Sequence, residues 1–185
     1  IWIVFNGEIY NYIELRGELI SLGHKFQTHT DTEVLVHLYE EYGKNMLNML
    51  NGMFAFVIWD GQKNELFAAR DHFGIKPFYY FFNNDTFVFA SEIKALLKHP
   101  QVKANTRYNN DAVKEYITLQ FCLGDHTLFK NINKLLPGNY LQISTSKWRP
   151  ETKNYWELDF TVDTHHTEDY YADKLLLLLE DSIRL

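Results

Sequence analysis

Phe5-Asn6-Gly7-Glu8-Ile9-Tyr10-Asn11 closes an apolar run that begins at Ile1, and Thr30-Asp31-Thr32-Glu33 follows about one helix later. The run Ile1-Trp2-Ile3-Val4-Phe5 reads as a strand that delivers Asn6-Gly7 at its end. Asn carries a side-chain NH₂, and Gly lets a bound oxygen approach a bare backbone N–H. Two converging donors are what acyl transfer needs to hold an oxyanion. Asp31 stands at the start of a predicted helix, where its carboxylate could hold a substrate ammonium group. Each motif also has a plain structural reading: Asn-Gly suits a turn, and Asp31 suits a helix cap.

Working outward, Asn11 and Glu14 have capping-box spacing ahead of a helix lined by Tyr12, Leu15, Leu19 and Leu22 and stopped by Gly23. Thr30 and Glu33 repeat that spacing before a second helix, lined by Leu35, Leu38 and Tyr42 and ended at Gly43. Met46, Leu47 and Leu50 predict a short third helix closed by Gly52. Met53-Phe54-Ala55-Phe56-Val57-Ile58-Trp59 is then nearly continuous apolar sequence, a strand covered on both faces. Asp60-Gly61 turns it into Glu65–Arg70. A loop, 71–77, leads to a second hairpin with strands 78–82 and 86–90. Ser91 suits the N-cap of a helix over Glu92–Lys98, limited by Pro100, and Asn110 caps another through Leu119. Pro137-Gly138-Asn139 turns into a strand over Tyr140–Ile143. The polar, aromatic stretch 144–167 has no periodicity and reads as a linker. Thr167-Glu168-Asp169 opens a final helix with acids in its first turn. Helices, then antiparallel hairpins, then more helices make an α+β pattern with a sheet sandwiched between layers.

The 185 residues fit one domain, or one with the edge of another, and 46% of them are apolar, enough for a core. A net charge of -6 argues against non-specific binding to nucleic acid or anionic membrane. The single cysteine, Cys122, excludes an internal disulfide framework and fits a cytoplasmic setting. It is expected to be buried among apolar groups. The apolar runs fall short of a membrane span. The chain opens inside a strand and closes on a helix without a stop signal, so both termini read as fragment boundaries. The eight histidines lack the spacing of a zinc site and read as solvated loop residues, so no metal is expected. Arg70, Asp71 and Lys76 suggest structural ion pairing. Tyr79 and Tyr80 should divide between core and surface.

Several motifs now line up in one order. Phe5–Asn11 and Thr30–Glu33 precede Ala69-Arg70-Asp71-His72-Phe73-Gly74-Ile75-Lys76-Pro77-Phe78-Tyr79-Tyr80. Ser91-Glu92-Ile93-Lys94-Ala95-Leu96, Leu128-Phe129-Lys130-Asn131-Ile132 and Leu136-Pro137-Gly138 follow. The series resembles the glutaminase domain of glutamine-hydrolysing asparagine synthetases, which are class II glutamine amidotransferases. It covers residues 1 to about 143. The implied division is 1–145 as a partial amidotransferase domain, 146–167 as linker, and 168–185 as the first helix of a synthetase domain.

The resemblance implies a four-layer αββα sandwich of antiparallel sheets, of the N-terminal nucleophile hydrolase type, here incomplete at its N-terminus. It implies a cysteine at residue one of the mature chain that attacks the glutamine side-chain amide, with its own α-amino group as base. By the same resemblance Asn6 and Gly7 form the oxyanion hole, Glu8 lies beside the substrate, and Asp31 receives the α-ammonium group. Ammonia would then reach a second domain, absent from this chain, where ATP and Mg activate aspartate; no cofactor is expected in the chain itself. The implied partners are glutamine and that synthetase domain, with a homodimer possible. The chain departs from the pattern by lacking the nucleophile and the arginine segment that grips the substrate carboxylate, so alone it is expected to be inactive. Around Gly124-Asp125-His126 it also lacks the family's usual prolines. A paralogue with another acceptor, β-lactam-forming or sugar-modifying, and a non-catalytic domain of the same fold are the alternatives.

Overall fold

The apolar run at Met53–Trp59 lies within a strand flanked by strands on both sides. The computed structural model describes residues 1–184, and in it β2 (Gly52–Asp60) lies between β1 (Trp2–Ile9) and β3 (Glu65–Arg70). β7 (Asn139–Ser144) and β8 (Lys147–Asn154) complete an antiparallel sheet ordered β1-β2-β3-β7-β8. A second antiparallel sheet places β4 (Tyr79–Phe82) between β5 (Phe87–Ala90) and β6 (Ile132–Lys134).

Side chains alternate across a strand, so the two faces of β2 serve two cores. Phe54, Phe56 and Ile58 pack with Leu15 and Leu19 of α1 (Tyr12–Ser21) and with Leu35 and Leu38 of α2 (Asp31–Tyr42). Ala55 and Val57 face the second sheet with Ala68, Leu141, Phe78 and Tyr80. On that sheet's far side, Phe81 and Ile132 pack on Leu96 of α3 (Ile93–Leu96) and Val102 of α4 (Pro100–Asn105). The layers therefore run helices, sheet, sheet, helices, as expected. Each fully buried ring, such as Phe54 or Phe67, contributes about 1.5–3 kcal/mol from burial.

Several local expectations change. Asn6-Gly7 is not a turn, because β1 continues through both to Ile9. The third helix is a 3-10 helix over Gly43–Met49, and Gly52 begins β2. No capping box forms at Asn11: its side chain donates to Met49 O (2.9 Å) and accepts from Asn51 N–H (3.0 Å), fastening the start of α1 to the strand opposite. At α2 half of the box forms. Thr30 accepts from Glu33 N–H, while the Glu33 carboxylate turns back to the Gln27 and Thr28 amides. The helix after Ser91 is one turn long and is followed by α4, which Pro100 starts rather than prevents, since proline suits a first helical turn. Asn109, not Asn110, caps α5 (Asn110–Leu119). The expected linker 146–167 begins as strand β8, whose mixed polar sequence fits an edge strand and carries no period-2 signal. Tyr79 and Tyr80 both pack into cores, because helices cover the face that was expected to meet solvent. α6 (Glu168–Arg184) forms as expected, and none of its side chains is buried.

Candidate active site

The free edge of β1 is where the sequence motifs meet, and Asp71 explains why that edge has donors to offer. Asp71 is 1% exposed. Its backbone N–H donates to Phe54 O (2.8 Å) and its carboxylate accepts from Phe54 N–H (3.2 Å). Phe54 therefore directs both backbone groups away from β1. Opposed residues in an antiparallel ladder exchange both hydrogen bonds or neither. Gly7, opposite Phe54, thus turns its N–H outward, to the edge that has no neighbouring strand among the described residues. Ile9, two residues on, has the same orientation, and its N–H donates to Asp31 Oδ2 at 3.1 Å. Gly7 N–H and the Asp31 carboxylate thus share one edge, about two strand residues or ~7 Å apart along it.

Asp31 is the first residue of α2, and the cap itself is Thr30. The helix-cap reading of Asp31 gives way to a tie between α2 and β1. One oxygen accepts from Ile9 N–H and the other lies 3.4 Å from the Thr32 hydroxyl. A carboxylate has about four acceptor positions, so capacity remains for an ammonium group. Asn6 and Glu8 alternate onto the other face of β1, the one turned to the second sheet. Asn6 Nδ2 donates to Ser91 Oγ at 3.2 Å, across a cleft of about 150 Å³ lined by Val4, Ala55, Phe78 and Phe89. Glu8 lines a wider cavity, about 670 Å³, with Tyr10 and Asn51 on one side and Leu178, Asp181 and Ser182 of α6 on the other. The structure thus brings Asn6, Gly7, Glu8 and Asp31 to one end of β1.

Gly7 is required there for a second reason. A Cβ at this position would run into Met53 O and the Cα of Phe54. The glycine therefore allows β1 to lie close on β2 as well as leaving its own N–H bare.

Two residues reached the site unannounced. Ser91 read as a helix cap and instead receives the Asn6 amide. Asp71 read as half of an ion pair and instead caps backbone: beyond Phe54, its oxygens accept from Phe73, Ile75 and Lys76 N–H at 3.1, 2.9 and 3.0 Å. Arg70 mirrors it, donating to the carbonyls of Gly74, Lys76 and Leu135, each at 2.7 Å. Backbone caging replaces the expected ion pairing because a folded loop holds many unpaired amides and carbonyls.

Cys122 lies elsewhere, after α5, in a cavity of about 260 Å³ with Tyr116, His126 and Lys134. It is half-buried rather than buried, with its thiol 3.9 Å from Ala112 O. His24 and His37 are not solvated loop residues either. They meet between the α1–α2 connection and α2, with side chains 16% exposed.

A family model described as a glutamine amidotransferase domain matches residues 1–156. Asparagine synthetase [glutamine-hydrolyzing] 3 of Bacillus subtilis is 39% identical over 185 residues, covering 98% of this chain and 29% of that protein. A putative asparagine synthetase [glutamine-hydrolyzing] 2 of Methanocaldococcus jannaschii is 40% identical over 156 residues, covering 84% of this chain and 30% of that protein. The chain therefore spans under a third of the length of these relatives. Among solved structures, a glutamine phosphoribosylpyrophosphate amidotransferase from B. subtilis superposes with a TM-score of 0.55 over 87% of this chain and 30% of that one, at 24% identity. That likeness concerns the fold, and it bears out the sandwich of antiparallel sheets between helices. Among the described residues no helix is long and apolar enough to cross a membrane.

Proposed function

We propose, from the premise that this chain belongs to the glutamine amidotransferase domain family, that it is the glutamine-hydrolysing half of an asparagine synthetase. The observation that carries this reading is the shared edge of β1, where an outward Gly7 N–H stands two residues from a carboxylate. Glutamine lies along this edge. Its α-ammonium group meets Asp31, and its amide oxygen meets Gly7 N–H and Asn6 Nδ2 at the corner between edge and cleft. As the amide carbon becomes tetrahedral, negative charge develops on that oxygen and both donors stabilise it. Ser91, which holds the Asn6 amide in place, is displaced or bypassed as the oxyanion takes its hydrogen bond. Glu8 bounds the adjoining cavity.

The attacking thiol comes from outside residues 1–185, since Cys122 lies away from this edge. This chain's own part is to bind, orient and stabilise. The released ammonia passes to a synthetase domain in the whole protein, where ATP and Mg activate aspartate. That domain is the main partner, and the setting is the cytoplasm. Support comes from the relatives named as asparagine synthetases at 39–40% identity.

The test is Asp31→Asn in the full-length protein, comparing glutamine-dependent with ammonia-dependent asparagine formation. A charge-assisted bond is worth about 1.5–3 kcal/mol, so kcat/KM for glutamine should fall about ten- to a hundred-fold. The ammonia-dependent rate should hold, because free ammonia bypasses this edge. Asn retains an acceptor for Ile9 N–H, which keeps β1 tied to α2. Equal glutamine-dependent rates in both proteins would remove Asp31 from the substrate site.

A further inference from the structure

His24, in the α1–α2 connection, and His37 and Glu40, on α2, turn one atom each toward a single point. His24 Nδ1 and His37 Nδ1 are 3.1 Å apart, His37 Nδ1 and Glu40 Oε2 2.8 Å, and His24 Nδ1 and Glu40 Oε2 3.9 Å. The other nitrogen of each ring faces a different carboxylate. His24 Nε2 lies 3.2 Å from Glu41 Oε2, and His37 Nε2 lies 3.8 Å from Glu33 Oε1. His24 Nε2 is within hydrogen-bond distance of Glu41, which leaves His24 Nδ1 free to act as a ligand, whereas His37 Nδ1 and Glu40 Oε2, at 2.8 Å, share either a proton or a cation. Two ring nitrogens and a carboxylate oxygen thus converge on one point, which a cation can fill in place of that proton. Among the described residues, none of Glu33, Glu40 and Glu41 is paired with a lysine or arginine, so the cluster holds no other positive charge.

We propose that these three groups form a binding site for a divalent transition-metal ion of the zinc class. Four-coordinate zinc holds its nitrogen and oxygen ligands at about 2.0–2.2 Å, which sets neighbouring ligand atoms about 3.3 Å apart. The three separations here bracket that value. Two imidazoles and a carboxylate suit a borderline ion, and Glu41, 3.2 Å from His24 Nε2, supplies an outer carboxylate of the kind that orients a metal-bound histidine. Phe26, edge-on to His37 with ring centroids 4.6 Å apart, walls one side. Glu40 is exposed, so a fourth position opens to water. The ion would pin the α1–α2 connection to the helix whose first turn carries Asp31, a structural role separate from glutamine chemistry. The two histidines are thirteen positions apart, a spacing set by the helical hairpin and absent from short metal motifs.

A proton shared between His37 and its neighbours is the competing occupant, and titration with the metal alone separates the two. The full chain is stripped with chelator and titrated with Zn²⁺, and in parallel with Co²⁺ followed by visible absorption. One ion per chain is expected, with the intense cobalt bands of a low-coordinate nitrogen–oxygen site. His24→Gln and His37→Gln should each weaken binding by about tenfold or more, and Glu41→Gln by about tenfold through ligand orientation. His166→Gln, in a separate cluster with Asp163, should change nothing. No stoichiometric binding by the unaltered chain at micromolar ion overturns the proposal, as does binding that survives the two ligand substitutions or depends on His166. Because the unaltered chain and Glu41→Gln are read first, the test still decides if a histidine variant fails to fold.

Discussion

Asp71→Asn is an isosteric change with a large expected cost. Each carboxylate oxygen of Asp71 accepts two backbone N–H groups: Oδ1 from Phe73 and Ile75, Oδ2 from Phe54 and Lys76. An asparagine keeps one of those oxygens and replaces the other with an NH₂. Whichever way the amide turns, two N–H donors face a donor, in a site that is 1% exposed. Leaving a buried donor unpaired costs about 1–3 kcal/mol, so the substitution should destabilise by about 2–6 kcal/mol. Urea denaturation measures this directly. With a slope of about 2 kcal/mol per M, the midpoint should fall by about 1–3 M while the slope holds. Asp111→Asn, whose side chain is 87% exposed, is the control and should stay within about 0.5 kcal/mol of the unaltered chain. A milder variant would also lose protection from hydrogen exchange at Phe54 N–H. Should Asp71→Asn melt within about 0.3 M of the original, the caged-loop account fails, and with it the reason given for the outward Gly7 N–H.

Gly7→Ala should cost about 1–3 kcal/mol, because its Cβ meets the backbone of β2, whereas Gly17→Ala on the exposed face of α1 meets nothing and should gain about 0.5–1 kcal/mol. Equal melting midpoints for the two would refute that contrast. Asp60, 4% exposed, is pushed up by burial but held below the usual aspartate range by the Lys63 and Gln62 amides and the Lys63 ammonium. A depressed carboxyl stabilises the fold above its unfolded value and loses that contribution as pH falls through the folded one. Asp60→Asn should therefore flatten the acid limb of a stability-against-pH curve below about pH 4, and an unchanged limb would count against it. Leu176 and Leu179 of α6 are 58% and 53% exposed. The chain should bind a hydrophobic dye and lose much of that signal in Leu176→Lys/Leu179→Lys; no dye binding by the original would sink the prediction.

What the sequence disclosed depended on whether a residue acts through its neighbours in the chain or across space. β2 and α2 were legible because burial on both faces, or on one stripe, writes itself into spacing. Asn6 and Gly7 were legible as donors but not as strand. Asn-Gly favours turns locally, and only pairing with Phe54 and Ala55 overrides that preference. Asp71 and Arg70 were misjudged because adjacent opposite charges suggest each other, while their true partners are amides and carbonyls as far away as Leu135. Asn11, Ser91 and the His24–His37 pair share that lesson, since their contacts span 38, 85 and 13 residues. β8 was missed because an edge strand with one wet face needs little apolar patterning.

The segment that leaves β8 closes back on the Asp71 loop. Tyr155 Oη donates to Arg70 O at 2.8 Å, Gly138 O accepts from Tyr155 N–H, and His72 meets Tyr155 and Trp156 edge to face. This clasp gives the domain an order in time. Arg70 and Tyr155 are 85 residues apart, and at about 5–20 residues per second a ribosome needs about 4–17 s to travel between them. During that interval β1, β2 and β3 are already made, yet the loop that turns Phe54 away from Gly7 lacks its latch. The nascent chain must keep an open strand edge out of trouble for that long, which makes the wait before Tyr155 emerges the point at which a chaperone has most to offer.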